Sequence, residues 1–184
     1  MSIAEPKLMT IDEFSKLDVD DRKLELVRGK VVEMNLPKPR HGQICSKVNR
    51  VIGNFADEHE LGHVVTNDTG VITERNPDSL RGPDIAFFSY ARVPKGPLPT
   101  EYLQVVPEVA FEVLSPDDRW SKVTEKIAEY LNAGVLVVCV LDPATEIVHV
   151  HRADDGPVQL SGDDEMALPE FSDELKVPVR RFFE

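Results

Sequence analysis

The sequence has no long apolar run, only two cysteines and little positive charge, and each shortage closes off a class of protein. Its longest apolar stretch, "GVLVVCVL", falls far short of the roughly 20 residues needed to cross a bilayer. The opening "MSIAEPKLMT" lacks the basic and then apolar segments of an export signal, so a soluble cytoplasmic protein with no membrane association is expected. Cys45 and Cys139 fall in an expected helix and an expected buried strand, without the CxxC spacing or neighbouring histidine of a zinc site. They read as inert core thiols. With 21 Lys and Arg against 33 Asp and Glu, the formal charge is −12. Such a surface repels polyanions at long range, so any contact with nucleic acid must be local. Repeats, linkers and low-complexity stretches are missing too.

What is present points to one sheet-based core. A length of 184 residues with 41% hydrophobic content suits a single domain over 1–184. Aromatics make up only 7%, yet "LVVCVL", "VAFEVL" and "IAFFS" are dense in branched apolar residues, which excludes a disordered chain and favours strands. Much of the acidity sits in "DVDD", "ADDG" and "GDDE", short clusters that read as solvated turns and carry no assigned chemistry.

Local patterns give the element order. Thr10 with Glu13 three residues on makes a capping box for a short helix running to about Leu17. "KLELVRGKVVEM" alternates around "RG" as a hairpin does, with Leu24, Leu26 and Val31 facing the core. From His41 to about Glu60, apolar residues at three- and four-residue intervals (Ile44, Val48, Val51, Ile52, Phe55) mark a helix packed by one face. Strand-like runs follow at "HVVTNDTGVIT", "PDIAFFS" and "PEVAFEVLS", separated by the turn-rich "ERNPDSLRG" and "ARVPKGPLPT". A helix capped by Ser115 or an Asp near 117 carries the stripe Trp120, Val123, Ile127, Tyr130 and Leu131 and closes at Gly134. "VLVVCVLDP" then reads as a central strand covered on both faces, and a hairpin at 146–160 and a terminal segment complete an α/β fold: a central mixed sheet flanked by helices.

Within this frame two acids are out of place. Asp84 opens the strand of "RGPDIAFFS" and Glu112 lies in "VAFEVLS"; if the strands are neighbours, two desolvated carboxylates meet. A divalent cation with a taste for hard oxygen, Mg²⁺ or Mn²⁺, would resolve their repulsion. Lys126 lies on the shoulder of its helix stripe and could extend an ammonium over the sheet edge. Metal-binding acids with a nearby lysine suit phosphodiester hydrolysis, in which the lysine orients water or offsets developing charge. Plainer alternatives stand beside these: a solvated turn for Asp84, an outward-pointing Glu112, and a surface Lys126 paired with Glu125 or Glu129. His149 and His151 alternate on a strand with no third ligand nearby and read as a solvated face, and Ser115 and Ser121 lack a base.

"KLELVRGKVVEMNLPKPRHGQI", "GPDIAFFS", "PEVAFEVLSPDDRWSKVTEKIAEYLNAGV" and "VVCVLDP", in that order, resemble the Uma2 family, bacterial endonucleases with the restriction-endonuclease-like PD-(D/E)xK fold. The resemblance runs from about residue 10 to residue 155. It implies a Mg²⁺ site of Asp84 and Glu112, a helix-borne Lys126 followed by Tyr130, and Glu25 as a further carboxylate brought towards the metal. It also matches His41, to which no role is given. The activity implied is endonucleolytic hydrolysis of DNA, and a homodimer is expected; the alternative is a catalytically weak or inactive nuclease fold serving as a homodimeric binding or interaction module. Two positions depart from the pattern. Leu114 stands where the wider superfamily's E-x-K requires lysine, so Lys126 must supply the cation from the helix, and Cys139 stands where many relatives carry Trp.

Overall fold

A computed structural model describes residues 8–18 and 22–184; residues 1–7, and 19–21 of "DVDD", lie outside the described residues. Helix α1 (Ile11–Phe14) starts at the expected capping box, Thr10 and Glu13 each bonding the other's backbone, and ends sooner than Leu17. Strands β1 (Leu24–Val27) and β2 (Lys30–Glu33) form the hairpin, and both turn residues, Arg28 and Gly29, take positive φ (47° and 72°), as a tight right-twisting turn requires. Leu26 is fully buried, but Val31 is exposed at 41% instead of facing the core. The reason is position: β2 is an edge strand whose residues are all exposed.

Helix α2 (Pro39–Glu58) begins two residues before His41, with proline in its first turn, and buries Ile44, Val48, Ile52 and Ala56. The run "HVVTNDTGVIT" breaks into β3 (Gly62–Thr66) and β4 (Val71–Glu74), because Asn67 and Asp68 both adopt positive φ between them. A short strand, β5 (Ser79–Arg81), occupies part of the segment expected to be turn alone. Next come β6 (Ile85–Ser89), β7 (Val109–Val113), α3 (Trp120–Ala133) and β8 (Val137–Asp142). Gly134 closes α3 in the left-handed region as expected, whereas its start at Arg119 has no side-chain cap; Asp118 instead accepts from the Ser115 amide. Strands β9 (Ile147–Arg152) and β10 (Val158–Ser161) make the expected hairpin, and β11 (Glu165–Leu168), β12 (Ser172–Pro178) and α4 (Arg180–Phe183) form the terminal segment.

The main sheet has the order β10-β9-β8-β7-β6-β3, with β7–β8 parallel and its other pairings antiparallel. Helix α3 makes the crossover between the parallel pair. One face packs on α2, α4 and the β11–β12 hairpin through Phe87, Phe111 and Leu141; the other packs on α3 through Ala110, Val138 and Val140. Strand β8 is therefore buried on both sides, as its continuous apolar run implies. A second sheet, β2-β1-β5-β4, lies over a small cluster of Ile11, Phe14, Leu26 and Leu80. His149 and His151 are half-buried, not solvated: the Trp120 ring meets His149 edge-on at 4.7 Å, and burial lowers the pKa of both. The fold class is thus the expected mixed sheet flanked by helices.

Gly62, the first residue of β3, has no room for a side chain: a Cβ would lie 2.2 Å from the Phe88 carbonyl oxygen of the paired strand. Gly62→Ala is expected to destabilise the protein by roughly 2–4 kcal/mol through forced backbone movement. Urea unfolding of wild type and variant measures it; equal midpoints would mean that the strand ends move freely.

Candidate active site

The site forms where the ends of β1, β5, β6 and β7 meet α3. The β6–β7 register pairs Ile85 with Phe111, so one residue further sets Asp84 opposite Glu112. Asp84 lies in the bend just before β6, and its Oδ2 accepts a hydrogen bond from the Val113 amide at 2.7 Å, which holds the carboxylate at the strand junction. Glu112 alternates to the α3 face, opposite to Phe111 and Val113. There Tyr130, fully buried, donates its hydroxyl to Glu112 Oε1 at 2.8 Å. Tyr130 is therefore both core and part of the site.

Lys126, one turn of helix before Tyr130, points to the same place. Its Nζ lies 2.9 Å from Glu112 Oε1, 3.1 Å from Glu25 Oε1 and 3.3 Å from the Gly82 carbonyl oxygen. Glu25 is only 4% exposed, because β1 is covered on both faces: Leu26 turns towards α1 and Glu25 towards α3. Its other contacts are the Gly82 amide at 3.0 Å and Arg81 Nη1 at 2.8 Å. The rest of the Arg81 fork clasps Glu129 at 2.6 and 2.7 Å. The structure brings together all four residues singled out in the sequence, and adds Arg81 and Glu129. Glu129 lies three residues beyond Lys126 on α3, but Arg81 carried no signal inside a segment that read as turn.

The electrostatics of this cluster leave a deficit. Asp84, Glu112, Glu25 and Glu129 gather around Arg81 and Lys126, with the His41 ring beside Asp84, so four acids share two permanently charged cations and one imidazole. The excess falls on Glu112: burial first, and Asp84's charge, push its carboxyl up to about 7 despite Lys126. Burial also acts on Glu25, but Lys126 and Arg81 outweigh it and hold that acid below its ordinary value. Burial would lower the Lys126 ammonium, yet Glu112 and Glu25 raise it, so it stays charged at neutral pH. A divalent cation would offset this excess of acid, and the oxygen donors of Asp84 and Glu112 suit a hard ion such as Mg²⁺.

His41, at the start of α2, lies beside the acid pair, its Nε2 3.3 Å from Asp84 Oδ2. Burial would lower its pKa, but the bond to Asp84 raises it overall. The site opens into a cleft of about 520 Å³, with Lys38 and Asp117 paired at 3.1 Å on its rim. Of the two basic segments "KPR" and "RVPKG", the first adjoins this cleft through Lys38. "RVPKG" does not: it follows the far end of β6 from Asp84, where Arg92 pairs with Glu108 and Lys95 with Glu60.

Comparison with known proteins now adds the lineage. The Uma2 family, described as "putative restriction endonuclease", matches residues 11–180. The chain belongs to the Uma2 family. A crystal structure of a putative nuclease belonging to DUF820 from Anabaena variabilis ATCC 29413 is similar at 26% identity, covering 95% of this chain and 97% of that one, with a TM-score of 0.84. No curated protein matches the chain. No helix among the described residues is long and apolar enough to cross a membrane.

The raised Glu112 gives a stability signature. Its carboxyl holds a proton in the folded state from an ordinary 4.5 up to about 7, while the unfolded chain has lost it. Its contribution is therefore fully present below pH 4.5 and is lost as pH rises to about 7, by roughly 2–3 kcal/mol. Denaturant unfolding with chelator across this range is expected to show wild type losing stability relative to Glu112→Gln, whose amide cannot ionise. A pH-independent difference would place Glu112 in a wetter setting.

Proposed function

We propose that this Uma2 protein is a Mg²⁺- or Mn²⁺-dependent endonuclease that hydrolyses phosphodiester bonds in DNA. The observation that carries the reading is the opposition of Asp84 and Glu112 across the β6–β7 junction with the Lys126 ammonium against Glu112. Membership of a family described as a putative restriction endonuclease, and likeness to a putative nuclease, support it.

Asp84 and Glu112 are the residues that would hold the cation. When bound, the ion supplies Lewis-acid polarisation of the phosphoryl group and a lowered pKa for the attacking water. Lys126 serves as a fixed donor and positive charge beside the reacting phosphate, not as a base, since its pKa is raised. Glu25 assists by anchoring Lys126, with Arg81 in turn anchoring Glu25. Lys126 reaching Glu112 also answers the absent lysine at 114: an ammonium arrives from α3 at the acid two residues earlier on the same strand face. Lys38, on the cleft rim, is the local cation for the DNA backbone in a molecule of net charge −12.

Incubation with plasmid and oligonucleotides in Mg²⁺ or Mn²⁺ is expected to give cleavage that chelator stops. Asp84→Ala and Glu112→Ala should each lower the rate by about 10²-fold or more, and Lys126→Ala comparably. Leu114→Lys in the Lys126→Ala background should restore part of the loss by returning the cation to the strand. Identical behaviour of wild type and acid variants, together with no melting shift in millimolar Mn²⁺, would favour the interaction-module alternative.

A further inference from the structure

Beside the acid pair stand two ligating side chains that the proposed hydrolysis does not use. His41 and Cys45 are four residues apart on α2 and share one face of the helix. This corrects the reading of Cys45 as a thiol without a histidine neighbour: its Sγ is 3.4 Å from His41 Nδ1, while His41 Nε2 is 3.3 Å from Asp84 Oδ2. One donor atom each from His41, Cys45 and Asp84 lies within 4.8 Å of the other two. Around tetrahedral zinc, bonds of about 2.0–2.3 Å separate donors by about 3.3–3.7 Å. Closing that difference takes side-chain movements on the order of 1 Å, on a helix pinned to the core by Ile44 and Val48.

The donor chemistry differs from that of the acid pair. Imidazole and thiolate favour ions such as Zn²⁺ and Co²⁺, where two carboxylates favour Mg²⁺. We propose that His41, Cys45 and Asp84 form a second cation site for a borderline-soft divalent ion of the Zn²⁺ class, and that loading it withdraws Asp84 from the Asp84–Glu112 pair. Three protein ligands leave a fourth position to water. Burial first, then the charges of Asp84 and Asp68, push the Cys45 thiol up, so the incoming ion displaces a proton there. The competition rests on the metal reading of Asp84 and Glu112; the binding does not.

Co²⁺ added to metal-free protein, without nucleic acid, is the test of the site. Wild type is expected to take up one equivalent with intense tetrahedral d–d absorption and a thiolate-to-cobalt charge-transfer band, both removed by Zn²⁺. Cys45→Ala and Cys45→Ser should lack the band, Cys139→Ala should keep it, and thermal melts check that all are folded. A wild type without the band, or a band surviving in both Cys45 variants, overturns the site. For the competition, Mn²⁺ bound to the protein is followed by its magnetic resonance signal: one equivalent of Zn²⁺ should release it from wild type and not from Cys45→Ala. Equal release from both, or none from wild type, overturns the competition. A protein that binds no Mn²⁺ removes the competition along with the metal reading of the acid pair, while the cobalt band still decides the site.

Discussion

The buried contact between Lys126 and Glu112 is the constraint around which this end of the molecule is arranged. A lysine and a glutamate both largely out of water are tolerated only if their polar atoms are matched, and here Tyr130, Glu25 and the Gly82 carbonyl complete the matching. Breaking such a pair from one side costs about 3–5 kcal/mol, far more than a surface ion pair returns. Arg81 extends the network by joining Glu25 to Glu129, so the second sheet is tied to α3 through charge as well as through apolar packing. Each cation is shared between two acids. Lys126, Glu112, Glu25 and Arg81 each touch at least two other groups of the network, and the Arg81 fork holds Glu129 with two bonds.

This arrangement also explains why the protein keeps an expensive group. Burial and a neighbouring carboxylate raise Glu112, and evolution of stability alone would favour an apolar residue at that position. Under the proposed function, the excess of acid in the cleft would be offset by a divalent cation and, through it, would serve a phosphate. A formal charge of −12 works against indiscriminate binding of nucleic acid, so the proposed substrate would be held locally, at the cleft and its lysines.

His41 places a second kind of chemistry against the same acid. Asp84 is shared between the Val113 amide, the His41 ring and the acid pair, so whatever engages α2 at this point changes what is available at the junction of β6 and β7. A single carboxylate between a hard-donor and a soft-donor environment is a natural point of discrimination between metals. In the proposed second site, the neighbouring helix, not the strand motif, would supply that discrimination.

Much of the architecture was legible in the residues. Period-3.6 stripes disclosed α2 and α3, the apolar run of β8 disclosed a central strand, "RG" between alternating residues disclosed the first hairpin, and Gly134 disclosed a helix end. Asp84 and Glu112 could be singled out because a carboxylate in an apolar strand needs a partner, which is a local energetic fact. Other features were hidden for equally physical reasons. Val31 looked like core because alternation reports which residues share a face, not whether anything covers that face. Strand β5 and Arg81 escaped because a three-residue strand is fixed by its neighbours and not by its own propensity. What the sequence by itself determined is the set of elements, their apolar faces and the acids that do not belong on them. Only the tertiary structure decided that Arg81, Glu129 and Cys45 join them, because side-chain proximity across about 40 to 60 residues of chain depends on register and packing that no local pattern encodes.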